Sequence, residues 1–274
     1  MTAIQLHPAP AWSRVAHEQV RAVGLRLRSA GIMLLALFTL IAMATIVISL
    51  DTFTPVRGGR PGFNATFAPQ MTVVLTLLAM LTPLMVWEGE DPTRRLYHRA
   101  MPVGQLTHAL AKVVGGWAWV VVATAVYVIG IAIVPVLVHR GAEPVVYSPT
   151  FMWWEWLVPF TSVTIAYALA SSAGVGTRQP FVWIFGSMVI YGGVIALLMR
   201  ADVPMLTDVA RAMTTAITGT YGLGAATTGN IDGIDVSGRL VTTALERWLG
   251  ATSIWGAASA ALFYLVARRR VETV

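Results

Sequence analysis

Six runs of mostly apolar residues punctuate the chain, at 30–50, 67–87, 113–138, 156–175, 181–199 and 249–267. A helix crosses the ~30 Å hydrocarbon core of a bilayer with about 20 residues, so each run is long enough to span. Thr72, Thr76, Thr82 and Pro83 dilute the second run, and Ser171, Ser172 and Gly174 dilute the fourth. Small and hydroxylated residues are tolerated in spans because they let helices pack closely. Proline is tolerated where neighbours satisfy the carbonyl it frees. The pattern predicts an all-α integral membrane protein, with residues 1–274 forming a single six-helix transmembrane domain.

Composition agrees. Of 274 residues, 56% are hydrophobic and 12% charged, against about 25% charged in a soluble domain. Such a chain has too little polar surface to coat a globule in water. Cysteine is absent, which removes disulfides, thiolate chemistry and cysteine metal sites together. About thirty mixed residues precede the first run, which is too long for a signal-peptide core, so no cleavable signal is expected.

The net charge of +6 comes largely from arginine. The arginines cluster at the ends of apolar runs, so they report membrane topology rather than nucleic-acid binding. With the N-terminus cytoplasmic, twelve basic residues fall inside: Arg14, Arg21, Arg26, Arg28, Arg94, Arg95, Arg99, Lys112, Arg178, Arg268, Arg269 and Arg270. Seven fall outside: Arg57, Arg60, Arg140, Arg200, Arg211, Arg239 and Arg247. The bias follows the positive-inside rule and puts both termini in the cytoplasm. Trp153, Trp154 and Trp156 precede the fourth run as an aromatic belt at the outer interface.

None of the six runs as drawn contains Asp, Glu, Lys, Arg or His. Ion-coupled carriers and proton pumps keep ionisable groups at membrane depth. The five histidines, His7, His17, His98, His108 and His139, fall in tails or loops, without the spacing of a zinc helix. There is no phosphate-cradling P-loop and no G-x-S-x-G nucleophile elbow. Gly222 and Gly224 begin a dinucleotide-like pattern, but Thr227 stands in place of its third glycine. No cofactor or metal is therefore expected on this chain. Any uphill work draws its energy from another polypeptide.

One stretch breaks the oily pattern: WEGEDPTRRLYHRAMPVGQLTHALAK, residues 87–112. Asp91 before Pro92 is a helix start, with Asp as N-cap and Pro at the first helical position. Glu88 and Glu90 add negative charge near the positive end of the helix dipole. Pro102 stops the helix, leaving a short amphipathic helix over 92–101. Thr93, Leu96, Tyr97, Ala100 and Met101 share one side, and Arg94, Arg95, His98 and Arg99 share the other. Spacing alone leaves two readings open. One is a helix lying on anionic lipid. The other is a docking helix for a cytoplasmic protein, which explains the acidic residues ahead of the basic face.

This stretch resembles the loop between the second and third spans of ABC-2 type transporter permeases. The matching residues are Glu88 and Glu90, Thr93, Arg94 and Arg95, Leu96, Met101-Pro102 and Lys112. The ending Arg268-Arg269-Arg270-Val271-Glu272 is similar to the family's, and six spans with both ends inside match as well. Asp91-Pro92 replaces the family's glycine-containing run, and the helix is less leucine-rich.

The resemblance implies that 92–101 is a coupling helix seated in a separate cytoplasmic ABC ATPase subunit, which holds the ATP and Mg. Its contact residues would come from Glu88, Glu90, Asp91, Thr93, Arg94, Arg95, Leu96, Tyr97, Arg99 and Pro102. It implies a multi-pass protein of the bacterial plasma membrane that exports an amphipathic or hydrophobic substrate as a dimer with a second copy or homologue.

Residues 12–28 read as a second amphipathic helix. Trp12, Ala16, Val20, Val23 and Leu27 share one face, and Arg14, His17, Arg21 and Arg28 share another. A tryptophan and a basic face suit a helix lying along the membrane surface. Similar permeases carry an interfacial helix there that borders the ATPase. Gly31, Gly186, Gly192 and Gly193 are candidates for close helix packing at a dimer seam. The loop over 200–248 combines a helical apolar face, Leu206, Val209, Met213 and Ile217, with a glycine-rich stretch. Similar permeases gate their exit there with short helices. A lipid-modifying membrane enzyme and a non-transporting scaffold are the competing functional readings.

Overall fold

The structure is a computed structural model that describes residues 12–28, 63–66, 69–87, 104–138, 145–148, 155–177, 179–200, 204–206 and 245–272. Helix α1 covers 12–28. It is followed by α2 (Pro69–Val86), α3 (Gln105–Val138), α4 (Val158–Gly176), α5 (Pro180–Arg200) and α6 (Leu245–Glu272). Among the described residues, three stretches are long and apolar enough to cross a membrane: Gln105–Gly130, Val158–Gly176 and Pro180–Leu198. They mark the chain as a membrane protein. The predicted run 67–87 corresponds to α2, whose described apolar part, Leu75–Val86, is shorter. The run 249–267 lies inside α6. The run 30–50 lies outside the described residues.

The helix ends show how apolar backbone is kept satisfied. In α2, Pro83 offers no N–H, yet the helix continues past it to Val86, and Trp87 N donates to Pro83 O at 2.8 Å to close the last turn. Hydroxyls turn back onto their own helices: Thr82 Oγ1 donates to Leu78 O at 2.7 Å, and Thr124 Oγ1 to Val120 O at 2.9 Å. In lipid this i−4 bond removes a polar group that has no water to meet. A 3-10 turn over Glu155–Leu157 leads into α4, which has proline in its first turn, where a missing N–H costs nothing. At its other end Thr177 donates to Ala173 O through both its backbone N, at 3.1 Å, and its Oγ1, at 2.8 Å.

Helix α4 is the hub. Two thirds of its span is buried, 67%, against 6% for α5. Its buried Ser162, Ala166, Ala170, Ser171 and Ser172 are small enough for α2, α3 and α6 to close around it. One apolar cluster joins Leu75 and Ala79 of α2, Val120 and Tyr127 of α3, and Val158, Val163, Ala166 and Tyr167 of α4. Polar ties reinforce it: Trp117 Nε1 donates to Thr164 Oγ1 at 3.0 Å, and Tyr167 Oη donates to Val113 O at 3.1 Å.

Two features depart from the sequence reading. Helix α3 begins at Gln105, eight residues before the predicted start of its span, so His108 and Lys112 sit in continuous helix rather than in a loop. Hydropathy locates apolar residues, whereas helicity here is sustained by packing around polar ones. The second is a pair of short strands, β1 (Phe63–Thr66) and β2 (Val145–Ser148), paired in parallel from Phe63↔Val145 to Thr66↔Ser148. They join the segment entering α2 to the segment leaving α3. Four residues carry little local signal for a strand, and only the pairing of two chain-distant segments makes one.

Candidate functional site

At the end of the bundle away from the strands, α2 stops and α3 starts, so Trp87 and Gly104 flank the 88–103 segment. A second buried cluster holds both flanks. It contains Val23 of α1, Val86 and Trp87, Val175 of α4, and Phe263 and Ala267 of α6. Leu106, Ala109, Leu110 and Val113 of α3 pack against it with Leu27 and Val266. Five helices therefore meet around the two residues that flank this stretch.

Trp87 is the centrepiece of this cluster, 7% exposed. A Cβ placed on Gly174 would sit 2.7 Å from its Cδ1, so α4 has no room for a larger residue there. The Lys112 ammonium lies 4.9 Å from the centroid of the Trp87 ring, and Lys112 is only 5% exposed. A cation over an indole face is held by the ring quadrupole, most strongly when water is excluded. The runs as drawn still hold no ionisable residue, but Lys112, one residue before the third run, is buried where the helices meet. Lysine was legible in the sequence, but its depth was not, because an eight-residue shift of the helix start carries it from loop to core.

Helix α1 is fastened to α3 and α2 at several points. Trp119 Nε1 donates to Val20 O at 2.9 Å. Gln19 Nε2 lies 3.5 Å from His108 Nε2, and Arg26 Nη1 donates to Val86 O at 3.5 Å. The backbones touch at Gly115: a Cβ there would lie 3.0 Å from Gln19 C and 3.1 Å from Val20 N. Ala16 and Val23 are buried, as the amphipathic reading requires. Trp12, placed on the same face, is instead 49% exposed, because it lies at the end of α1, where less of the bundle faces it. Arg14, Arg21 and Arg28 are exposed.

The expected coupling residues Glu88, Glu90, Asp91, Thr93, Arg94, Arg95, Leu96, Tyr97, Arg99 and Pro102 lie outside the described residues, as does Gly31. Gly186, Gly192 and Gly193 are on α5, with nothing within 4 Å of an added Cβ. Most of the loop over 200–248 is likewise outside. Among the described residues, no group of three or more His, Asp or Glu is placed to hold a metal. Sequence reasoning missed Trp87, Gly115 and Trp119. The Gly115-Gly116 doublet inside an apolar run was the available signal, since paired small residues mark a close helix approach.

No family model, curated protein or solved structure matches the chain.

Proposed function

We propose that the chain is the permease subunit of an ABC-2 type transporter, with six spans and both termini in the cytoplasm of a bacterial plasma membrane. Two copies, or one copy and a homologue, enclose the path of an amphipathic or hydrophobic substrate. Separate ATPase subunits bind ATP and Mg and drive export by pressing on the 92–101 helix.

The observation that carries this reading is the shared cluster around Trp87. Both flanks of the charged segment are packed against α1, α4 and α6. A force applied to that segment from outside therefore reaches the bundle through close-packed side chains, which have little room to yield. The resemblance of residues 87–112 to the family's loop supports the same direction of force. The apolar spans supply no P-loop to hydrolyse nucleotide themselves.

Affinity purification of the tagged full-length chain tests the proposal. A P-loop ATPase identified by mass spectrometry should accompany it, and Glu88→Ala or Arg95→Ala should reduce the recovered ATPase several-fold at unchanged recovery of the chain. Purified chain that moves cargo uphill in vesicles with no ATPase present would overturn the proposal. So would turnover of a lipid by the chain alone.

A further inference from the structure

We propose that the outer arc of α1 is a binding site for the phosphate headgroups of anionic lipids. The inference rests on the chain being a membrane protein and stands whether or not it is a permease subunit.

Placement comes first. Through Val23, α1 is built into the cluster at the end of the bundle formed by Trp87, Val175 and Ala267. At that same end α6 leaves its apolar run and carries the exposed Arg268 and Arg269. Basic residues just past the end of an apolar helix mark the level of the headgroups. A helix fixed beside them lies within that layer.

The arc itself is basic. At ~100° per residue, Ala16, Val23 and Leu27 turn toward the bundle, and Arg14, Arg21 and Arg28 recur every seventh residue on the far side. A rise of ~1.5 Å per residue sets neighbouring arginines of this row about 10 Å apart, so each can meet a separate headgroup. Arg26 is exposed as well, and Glu18 is the only acidic residue of α1. Among the described residues, no ion pair neutralises Arg14, Arg21 or Arg28. A guanidinium offers phosphate a rigid two-pronged donor and is weakly hydrated, so it gives up water readily at an interface.

An acidic protein surface is the competing occupant of a basic row. Two apolar side chains favour lipid. Leu25 is 66% exposed on the same arc as Arg14 and Arg21, and Trp12 is 49% exposed at the helix start. In the headgroup layer Trp12 occupies the zone where tryptophan is enriched, Leu25 reaches the acyl boundary, and the arginines extend to phosphate.

The test uses the full-length chain purified in neutral detergent without any partner, so its outcome is separable from that of the ATPase experiment. The chain is mixed with equal amounts of phosphatidylglycerol and phosphatidylcholine carrying the same acyl chains, and retained lipids are counted by native mass spectrometry. Phosphatidylglycerol should be retained at least about fivefold over phosphatidylcholine at low salt, the effect expected of a single basic residue near an anionic surface. The ratio should fall toward parity at about 0.5 M salt, where screening shortens the reach of each charge. Combined Arg14→Gln, Arg21→Gln and Arg28→Gln should abolish most of the preference, and Arg21→Gln alone should lower it in a chain whose fold is unchanged. Arg268→Gln with Arg269→Gln should leave most of it in place. A wild-type chain without preference, or a triple variant that keeps it, overturns the site. A triple variant that loses only a co-purified protein, with its lipid ratio intact, assigns the arc to a protein instead.

Discussion

Replacing Gly115 by alanine should release α1 from the bundle, and the size of the effect can be worked out from the contact. The new methyl would sit 3.0 Å from Gln19 C, 3.1 Å from Gln19 O and 3.1 Å from Val20 N. These are backbone atoms, so none can swing aside as a side-chain tip would, and the α1 backbone must give by a few tenths of an ångström. Overpacking of this kind costs about 1–3 kcal/mol. The attachment it opposes is of similar size. Burial of Val23 contributes about 1.5–3 kcal/mol, and the Trp119 bond to Val20 O about 0.5–1.5 kcal/mol. With a tenfold change for every ~1.4 kcal/mol, the undocked fraction should rise about 5- to 150-fold. The chain has no cysteine, so a single introduced thiol reports cleanly. Val23 is 2% exposed and Leu25 is 66% exposed. A Val23→Cys chain should react slowly with a maleimide and a Leu25→Cys chain quickly. Adding Gly115→Ala should accelerate only the first. Equal rates for the two thiols in the parent background, or no acceleration by Gly115→Ala, would refute the docking of α1 described above.

Two further substitutions probe the packing around the charged segment and the hub helix. Trp87→Ala should cost about 3–5 kcal/mol, read as a lowered unfolding midpoint in detergent, because the ring fills a cluster shared by five helices. A double-mutant cycle of Trp87→Leu with Lys112→Met should return a coupling of about 1–2 kcal/mol from the cation over the indole, and additivity of the two changes would remove that interaction from the account. Tyr167→Phe keeps the buried ring and loses the hydroxyl that bonds Val113 O, so its cost should be about 1 kcal/mol, and a loss several times larger would mean that the hydroxyl does more than join α4 to α3.

The membrane character of this chain was legible residue by residue. Spans such as 181–199 are read from composition alone, because lipid makes hydrocarbon content and helix length the first requirements on any segment that crosses it. The amphipathic face of α1 was legible for a related reason: Ala16, Val23 and Leu27 repeat at helical spacing whatever they pack against. Depth and partnership were not. Lys112 reads as a loop residue until α3 is seen to start at Gln105, and nothing at the end of the run 67–87 sets Trp87 apart until Gly174 and Lys112 enclose it. The pairing of Phe63–Thr66 with Val145–Ser148 joins segments some eighty residues apart, for which neither carries a local signal. Periodicity and hydropathy are sums over neighbours in the chain. Burial of a charge, a backbone contact at a glycine and a strand pairing are set by neighbours in space, and these were decided only when the helices closed around α4.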